Sequence, residues 1–410
     1  MPGDGKDPVR TDPWPYGGFG VNLIGEEEMR EVEEVVKSRS LFRFYGPDPK
    51  KKADAFEAEY SSYVGTQHAL GVSSGTAAVH LGVAACGIGP GEEVIVPPLT
   101  FIANITPVLL CGGMPVFADV DAGTLNLDPD SVRDAVTPRT RAIVPVHLLG
   151  FPADMKGLGD VAEDNDLYLV EDASHSHGAE LGGRKVGSLG DIGCFSLQLN
   201  KMITCGEGGV VTTSDDGLHD NAVRFHDHGF NRFTGEKGGP LGMNYRMSEL
   251  QAAVALAQLR KLDRIREMVN SNAGYVIPRI EQLGIVPRKV IPGSSPVHYY
   301  MVFHLPDDIG VDAQAFAELI RDEGVPAGLI YGGQPSYELE LFRTRKTINR
   351  AGWPFSSSLN TFGDVNRCPV LENALKRCFT LPNSTNLKRA ELEDMVAATE
   401  AALQRARSES

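Results

Sequence analysis

Residues 68–86 read HALGVSSGTAAVHLGVAAC, and this stretch carries the pattern that decides the fold. An apolar run, His68–Val72, is followed by Ser-Ser-Gly-Thr and then by a helical candidate, Thr76–Cys86. A short continuous apolar run is typical of a strand that is buried on both faces, as strands of parallel sheets are. The stretch therefore predicts a strand, a turn and a helix in direct succession.

The same unit recurs from about residue 55 to residue 215, where apolar runs alternate with helical stretches such as Pro129–Val136. This alternation predicts an α/β domain with a mostly parallel sheet covered on both faces. In such sheets ligands bind beyond the carboxyl ends of the strands, so the residues after each run are the candidates for a site. The predicted strands are His68–Val72, Glu93–Pro97, Pro115–Ala118, Ala142–Val146, Leu167–Val170, Gly193–Ser196 and Gly209–Thr212.

A smaller α+β domain is expected after the sheet. Ser-Glu-Leu-Gln at 248–251 is a capping box, and it predicts the start of a long helix that continues to about Met268 and leads to this domain. The domain contains a predicted strand at 298–304 and predicted helices at 311–322 and 387–406. We therefore expect a mobile N-terminal tail at 1–20, a large domain at 21–265 and a small C-terminal domain at 266–410.

Charge and composition exclude several classes of protein. The 410 residues carry a net charge of −15, and the densest basic run is Lys50-Lys51-Lys52, so no nucleic-acid partner is expected. No run approaches the roughly 20 apolar residues of a spanning helix, and residues 1–15 lack the apolar core of a secretory signal, so no membrane partner is expected. The six cysteines show no CxxC spacing, which predicts reduced thiols and a cytoplasmic protein.

The segment Ser73-Ser74-Gly75-Thr76 lies between the first predicted strand and its helix. Free backbone amides at a helix start, with a glycine that lets an anion approach, form a phosphate cradle to which the Thr76 hydroxyl adds a donor. The alternative is an ordinary Ser or Thr N-cap without a ligand, which is the commoner use of such residues. The chain has no Walker or GxGxxG motif, so nothing here favours nucleotide binding.

Two ionisable groups follow later strands of the predicted sheet. Glu171 and Asp172 end the run at 167–172, where an acid can hold a protonated ring nitrogen; the alternative is an acid that caps a helix or fixes a loop. Lys201 follows the run at 193–196 and precedes a glycine-rich return, GEGG at 206–209. Most lysines are solvated, but burial between two apolar strands would lower the pKa of Lys201 and make it a nucleophile toward aldehydes.

Six motifs in one order resemble the DegT/DnrJ/EryC1/StrS aminotransferases, a family of sugar and cyclitol aminotransferases. The resemblance covers about residues 45–382 and implies the type I fold of pyridoxal-phosphate (PLP) enzymes. The motifs are SSGTAA at 73–78, PPLTF at 97–101, PVHLLG at 145–150, EDASHSHGA at 171–179, FSLQLNK with GEGG at 195–209, and GMNYRMS at 242–248.

The resemblance implies a role for eight residues. Lys201 is the Schiff-base lysine and Asp172 is the partner of the pyridinium nitrogen. Phe101 stacks on the ring, and His175 stands where many members carry a glutamine against the ring hydroxyl. The remaining residues are implied to hold the phosphate: Gly75, Thr76, Ser196 and, from the other subunit of a homodimer with shared active sites, Asn244.

The expected reaction is transfer of an amino group from an amino acid, glutamine or glutamate, to a keto-sugar or keto-cyclitol, with pyridoxamine phosphate (PMP) as intermediate, in secondary-metabolite biosynthesis of the aminoglycoside type. The loop after position 196 is similar to that of the inosose branch and of 3-amino-5-hydroxybenzoate synthases, so a related enzyme with elimination and aromatisation chemistry is one alternative. A PLP-binding regulator without catalysis is another.

Four further residues are weaker candidates. His226 and His228 have the spacing of two metal ligands, but no third ligand is apparent, so we expect a loop near the site and no metal. Arg246 and Arg367 are candidates for the donor's carboxylate because a guanidinium binds carboxylates in a bidentate manner. An ordinary structural or surface ion pair is the alternative for both.

Overall fold

The computed structural model describes residues 7–15, 17–360 and 367–408. Its strands are β1 His68–Val72, β2 Glu93–Val96, β3 Met114–Phe117, β4 Thr140–Ile143, β5 Tyr168–Asp172, β6 Glu180–Leu181, β7 Arg184–Lys185, β8 Ile192–Ser196, β9 Gly209–Thr213, β10 Val286–Pro287, β11 Ser294–Ser295, β12 Tyr300–His304 and β13 Cys378–Pro382. Its α-helices are α1 Glu26–Ser38, α2 Lys52–Val64, α3 Gly75–Ala85, α4 Thr106–Cys111, α5 Pro129–Ala135, α6 Met155–Asn165, α7 Asp216–His226, α8 Glu249–Leu259, α9 Leu262–Gln282, α10 Ala313–Asp322, α11 Glu340–Thr344, α12 Pro369–Leu375 and α13 Arg389–Ser408. Short 3-10 turns lie at Gly20–Leu23, Ile102–Asn104, Leu148–Gly150, Ile330–Gly333 and Ser336–Glu338.

The large domain is built on a seven-stranded sheet in the order β1-β9-β8-β5-β4-β2-β3. Strand β9 runs antiparallel to β1 and β8, and the other neighbours are parallel. Val94 and Val96 pack in the core that contains α3, whereas Ile95 packs in the core that contains α6, so both faces of the sheet are covered. The predicted α/β class and mostly parallel sheet are confirmed, and β1, β5 and β8 end at the same edge.

The predicted strands of the large sheet agree with the observed ones within two residues at each end, except at the end of β4. Strand β4 ends at Ile143 and not at Val146. Beyond it the chain still follows β5, because Asp172 N donates to the Pro145 carbonyl at 2.8 Å and His147 N donates to the Asp172 carbonyl at 3.0 Å. The apolar run therefore continues past the regular ladder to the edge where the strands end.

The predicted single helix from Ser248 to Met268 is wrong, because the chain turns at residues 260–261 between α8 and α9. The start is as predicted: Ser248 Oγ accepts from Gln251 N at 3.3 Å, and Gln251 Oε1 accepts from Ser248 N at 3.0 Å. At the turn Lys261 Nζ binds Glu28 Oε2 at 2.7 Å. The turn lets α8 pack on α1 and α2 while α9 leads away to pack on α13.

The small domain has its own core around the antiparallel sheet β10-β12-β13, with α9, α10 and α13 packed against it. This core includes Ala273 on α9, whereas Ile265 and Val269 of the same helix belong to the core of the large domain. The predicted boundary between residues 265 and 266 therefore falls inside a helix. No helix within the described ranges is both long enough and apolar enough to span a bilayer.

The predicted mobile tail at 1–20 is partly anchored. Residues 1–6 and 16 lie outside the described residues. Within the tail, Arg10 forms ion pairs with Glu391 at 3.2 Å and Asp394 at 2.8 Å, and Trp14 packs against the small-domain core. Arg10 thus contacts α13, and the mobility expected of this tail stays a prediction.

Candidate active site

A cavity of about 770 Å³ opens where β1, β5 and β8 end, and residues of the small domain form its opposite wall. Seven of the eight residues predicted for the site line this cavity: Gly75, Thr76, Phe101, Asp172, His175, Ser196 and Lys201. The eighth, Asn244, is not among the lining residues and lies exposed beside Asp227. The sheet thus brings together groups that are up to 126 positions apart in the sequence (201 − 75).

One end of the cavity is formed by the start of α3 beside Ser196. Ser74 caps the helix, since its Oγ accepts from Ala77 N at 3.0 Å. The N–H groups of Gly75 and Thr76 belong to the first turn and have no acceptor within the helix. A Cβ on Gly75 would lie 2.5 Å from Ser196 Cβ, so only glycine permits this approach. Amides and hydroxyls converge here as in an anion site.

Asp172 is buried at the end of β5, and its two oxygens are held from two sides. Asn104 Nδ2 donates to Oδ2 at 2.6 Å, and Ser174 N donates to Oδ1 at 2.9 Å. Asn104 is itself fixed because it also donates to Thr100 Oγ1 at 2.6 Å. The carboxylate is therefore oriented at the cavity before any ligand arrives.

The neighbouring Glu171 fixes a loop and does not reach the cavity. Successive strand residues point to opposite faces, and this carboxylate accepts from the amides of Gly187, Leu189 and Gly190 at 2.6–2.7 Å. It also accepts from His147 Nε2 at 2.8 Å. Glu171 therefore fixes the loop at 187–190, whereas Asp172 lines the cavity.

Lys201 lies in the loop after β8, where it is half-buried and lines the cavity. Burial lowers the pKa of Lys201 to about 8, and the Asp172 carboxylate opposes that shift. The loop is closed at its base, since Leu197 N donates to the Gly208 carbonyl at 2.8 Å and Cys205 N donates to the Leu197 carbonyl at 3.1 Å. A buried amine with a lowered pKa is partly neutral near pH 7–8 and can act as a nucleophile or a base.

Two histidines belong to the site: His175 lines the cavity, and His177 lies behind Ser196. The ring of His175 stacks on Tyr299 at 4.7 Å, its Nδ1 is buried without a hydrogen-bond partner, and burial lowers its pKa well below the ordinary value. Burial also lowers the pKa of His177 to about 4, so the ring is neutral. His177 Nε2 donates to the Ser196 carbonyl at 2.8 Å, and its Nδ1 accepts from Tyr60 Oη at 2.9 Å. His177 thereby fixes Ser196.

Comparison with known proteins decides the family. The sequence profile of the DegT/DnrJ/EryC1/StrS aminotransferase family matches residues 22–400. The chain belongs to this family. The DegT/DnrJ/EryC1/StrS aminotransferases are PLP-dependent transaminases, so this protein is one as well.

Relatives and solved structures agree with this membership. The chain is 33% identical to an L-glutamine:2-deoxy-scyllo-inosose aminotransferase of Micromonospora echinospora, over 97% of this chain and 96% of the relative. It is 37% identical to the spore coat polysaccharide biosynthesis protein SpsC of Bacillus subtilis (strain 168), over 74% and 80%. Its fold is similar to the crystal structure of 3-amino-5-hydroxybenzoic acid synthase, with a TM-score of 0.82 and 30% identity over 98% of this chain and all of that chain.

The residues of this DegT-family cavity fit PLP. The cofactor needs an acid at its ring nitrogen, an amine at its aldehyde, donors at its phosphate and a flat contact on its ring. The cavity offers all four: the acid is Asp172, the amine is Lys201, and the donors lie at the α3 start and on Ser196. The flat contact is Phe101, a residue that is 57% exposed and lines the cavity. The unpartnered, buried Nδ1 of His175 adds a polar atom that the protein itself leaves unsatisfied.

The weaker candidates from the sequence lie elsewhere. His226 is buried at the end of α7 and binds the Val223 carbonyl, and neither it nor His228 lines the cavity of its own chain, so their place near a site stays a prediction. Within the described residues, no three His, Cys, Asp or Glu side chains form a group suited to a metal ion. Arg246 pairs with Asp227, and the exposed Arg367 forms a bidentate pair with Glu372. Neither arginine lines the cavity of its own chain, so the ion-pair alternative holds for both.

Sequence reasoning missed three residues of the site. Asn104 orients Asp172, His177 holds Ser196, and Tyr299 packs against Lys201 and His175. Asn104 and His177 lie within or next to recognised motifs, and their polar side chains in apolar surroundings were a usable signal. Tyr299 comes from the other domain, about 100 positions away, and no local pattern marks it.

Proposed function

We propose that this transaminase transfers an amino group from glutamine or glutamate to a keto-cyclitol or keto-sugar in secondary-metabolite biosynthesis of the aminoglycoside type. The single observation that carries the proposal is the half-buried Lys201, with its lowered pKa, sharing one cavity with the oriented carboxylate of Asp172. The acceptor class is supported by relatives named as inosose aminotransferases, and it agrees with a cavity of about 770 Å³, which is large enough for a cofactor and a six-membered ring.

The proposed mechanism assigns each residue one task. PLP, when bound, supplies an aldehyde that binds amines and a pyridinium ring that accepts electrons. Lys201 would hold the cofactor and, when displaced by the amino donor, its Nζ would take the proton from the donor's α-carbon. Asp172 would hold the protonated ring nitrogen, and His175 would contact the ring hydroxyl.

The other residues bind and orient. The amides of Gly75 and Thr76 and the Ser196 hydroxyl would hold the phosphate, and the Phe101 ring would provide the flat contact for the pyridine. Because the same groups serve the donor and the acceptor in turn, the kinetics should be ping-pong, with PMP present between the two halves.

The proposal is tested by amino transfer from glutamine or glutamate to 2-deoxy-scyllo-inosose and to keto-sugars, with amine products identified by mass spectrometry. The wild type should form an aminated ring, and Lys201→Ala should lose turnover. Lys156→Ala removes an exposed lysine of α6 and should behave as wild type. Turnover retained by Lys201→Ala would disprove the assignment.

One alternative has a specific observation behind it, the structural similarity to 3-amino-5-hydroxybenzoic acid synthase. A cyclic keto substrate that yields an aromatic product, with loss of water, would establish that chemistry in place of simple transfer. A regulator without catalysis would instead bind DNA and show no turnover with any donor.

We also propose a homodimer with shared active sites, in which Asn244 reaches the phosphate of its partner's cofactor. The support is that Asn244 is exposed, lies outside its own cavity, and stands near the exposed apolar side chains of Leu241 and Met243. Mixing Lys201→Ala with Asn244→Ala subunits restores one complete site per mixed dimer only if Asn244 acts across the interface. Mixed dimers without activity would refute the shared site.

A cytoplasmic location is the remaining part of the proposal. All six cysteines are free thiols, which supports a reducing compartment. Fractionation that recovers the protein outside the cytoplasm would refute it.

A further inference from the structure

Tyr299, which lies outside the sequence motifs, contacts Asn200, Lys201 and His175. It precedes β12 of the small domain and is 8% exposed. Its Oη donates to the Asn200 carbonyl at 3.0 Å, its ring centroid lies 5.6 Å from Lys201 Nζ, and its ring stacks on His175 at 4.7 Å and 25°. One side chain thus contacts the lysine, the residue before it, and the histidine beside it.

The hydroxyl contact matters because the chain before Lys201 is otherwise a solvent-exposed turn. Leu199 and Asn200 are exposed, and the turn's other bonds are local, from Lys201 N to the Gln198 carbonyl at 2.9 Å and from Asn200 N to Gln198 Oε1 at 2.9 Å. The bond from Tyr299 spans 99 positions and ties this turn to the small domain. Burial raises the pKa of Tyr299, so its hydroxyl keeps the proton that it donates.

The ring contact matters because Lys201 has a flexible four-carbon stem. An ammonium within about 6 Å of an aromatic ring is attracted to the ring face, more strongly when water is excluded. Lys201 is half-buried and its Nζ lies 5.6 Å from the Tyr299 ring, so the ring favours the charged form of the amine and one position for it. The same ring holds the plane of His175, whose Nδ1 has no partner to do so.

Tyr299 is itself held rigidly. Its N–H donates to the Val297 carbonyl at 2.8 Å, Val297 N donates to the Gly150 carbonyl at 3.0 Å, and its ring packs on Phe19 at 4.8 Å. The preceding His298 carbonyl accepts from Asn383 Nδ2 at 2.7 Å. Contacts with both domains therefore hold Tyr299 in place independently of its contact with Lys201.

We propose that Tyr299 is a positioning residue for Lys201: its hydroxyl fixes the backbone before the lysine, and its ring holds the free lysine ammonium. This inference rests on the proposed role of Lys201 in the reaction. The proposed role of the Tyr299 ring concerns the free amine of Lys201 in the cofactor-free protein, so it can be tested without measuring catalysis.

The test measures the titration of Lys201 in protein stripped of cofactor. Acetic anhydride modifies neutral amines, so the extent of modification of the Lys201 peptide against pH, read by mass spectrometry, gives a midpoint. In Tyr299→Leu the midpoint should fall by about 0.5–1.5 pH units, because the ring no longer favours the charged amine. Tyr299→Phe keeps the ring and should keep the midpoint of the wild type.

The proposed role of the Tyr299 hydroxyl is tested by measuring turnover. Tyr299→Phe should lower kcat by about threefold to tenfold, the usual size of one lost hydrogen bond, with little change in KM for the donor. Tyr275→Leu is the matched control: this tyrosine stacks with Arg279 and Arg389 on the small domain, and its loss should change neither midpoint nor kcat.

An unchanged or raised midpoint in Tyr299→Leu would overturn the role of the ring, and wild-type kcat in Tyr299→Phe would overturn the role of the hydroxyl. Should Tyr299→Leu be insoluble, Tyr299→Met, which keeps more of the side-chain volume, replaces it. Failure of the proposed function has a different signature: Lys201→Ala would then keep its turnover whatever the Tyr299 variants do.

Discussion

Gly75→Ala tests whether the close approach of α3 to Ser196 builds the phosphate site. A Cβ at position 75 would lie 2.5 Å from Ser196 Cβ and 2.8 Å from its Oγ, whereas ordinary contact begins at 3.4 Å. The helix start or the serine must therefore move by about 0.9 Å (3.4 − 2.5). Overpacking of this kind costs roughly 1–3 kcal/mol of stability.

The shift should also weaken cofactor binding. If the displaced helix loses one charge-assisted hydrogen bond to the phosphate, about 1.5–3 kcal/mol of binding free energy is lost, which corresponds to a dissociation constant roughly 10- to 150-fold higher. Equilibrium dialysis against PLP measures this constant, and thermal unfolding of the cofactor-free protein measures the stability.

Gly159→Ala provides the control of opposite sign. Gly159 lies within α6, and a Cβ there would meet nothing within 4 Å. Alanine is the better helix former by roughly 0.5–1 kcal/mol, so this variant should be slightly more stable and should bind PLP as the wild type does. A Gly75→Ala protein with the wild-type dissociation constant would show that the α3 start does not hold the phosphate.

Two further predictions concern Asp172 and Lys201. Asn104→Ala removes the donor at 2.6 Å from Asp172 Oδ2 and should raise the dissociation constant for PLP about tenfold. The same dialysis measures this constant. An unchanged constant would show that Asn104 does not orient Asp172. Lys201→Met in cofactor-free protein removes an amine whose pKa falls from 10.5 unfolded to about 8 folded, so the folded state disfavours its charge by about 3 kcal/mol below pH 8. This cost in the wild type disappears as pH rises from 8 to 10.5. In urea unfolding, Lys201→Met should therefore be more stable than the wild type at pH 7 and should lose that advantage near pH 10.5. A stability difference that does not change with pH would contradict the burial of the amine.

The sequence predicted the sheet well because burial on both faces leaves a local mark. Continuous apolar runs such as 68–72 cannot be anything but buried, and the observed strands follow them closely. The turn at residues 260–261 left no such mark, because Arg260 and Lys261 are good helix formers. Contacts with α1 at that point override the local preference, and those contacts are over 200 positions distant.

The site residues that could be predicted from the sequence are those that lie at strand ends or within the family motifs. The EDASHSHGA motif singled out Asp172, and the alternation of side chains along β5 explains why Glu171 fixes a loop while Asp172 lines the cavity. Arg246 had the right chemistry for a carboxylate, but its partner Asp227 meets it through the tertiary fold. Residue type indicates what a side chain is able to bind, and packing decides what it does bind.

The central claim is that Lys201 carries the cofactor, and chemical trapping tests it most directly. Borohydride reduction of the PLP-loaded enzyme fixes the cofactor on its amine, and peptide mapping by mass spectrometry locates it. Our account predicts that the phosphopyridoxyl label is found on the peptide that contains Lys201 and that the label is lost in Lys201→Ala. A label on any other lysine of an active enzyme would contradict it.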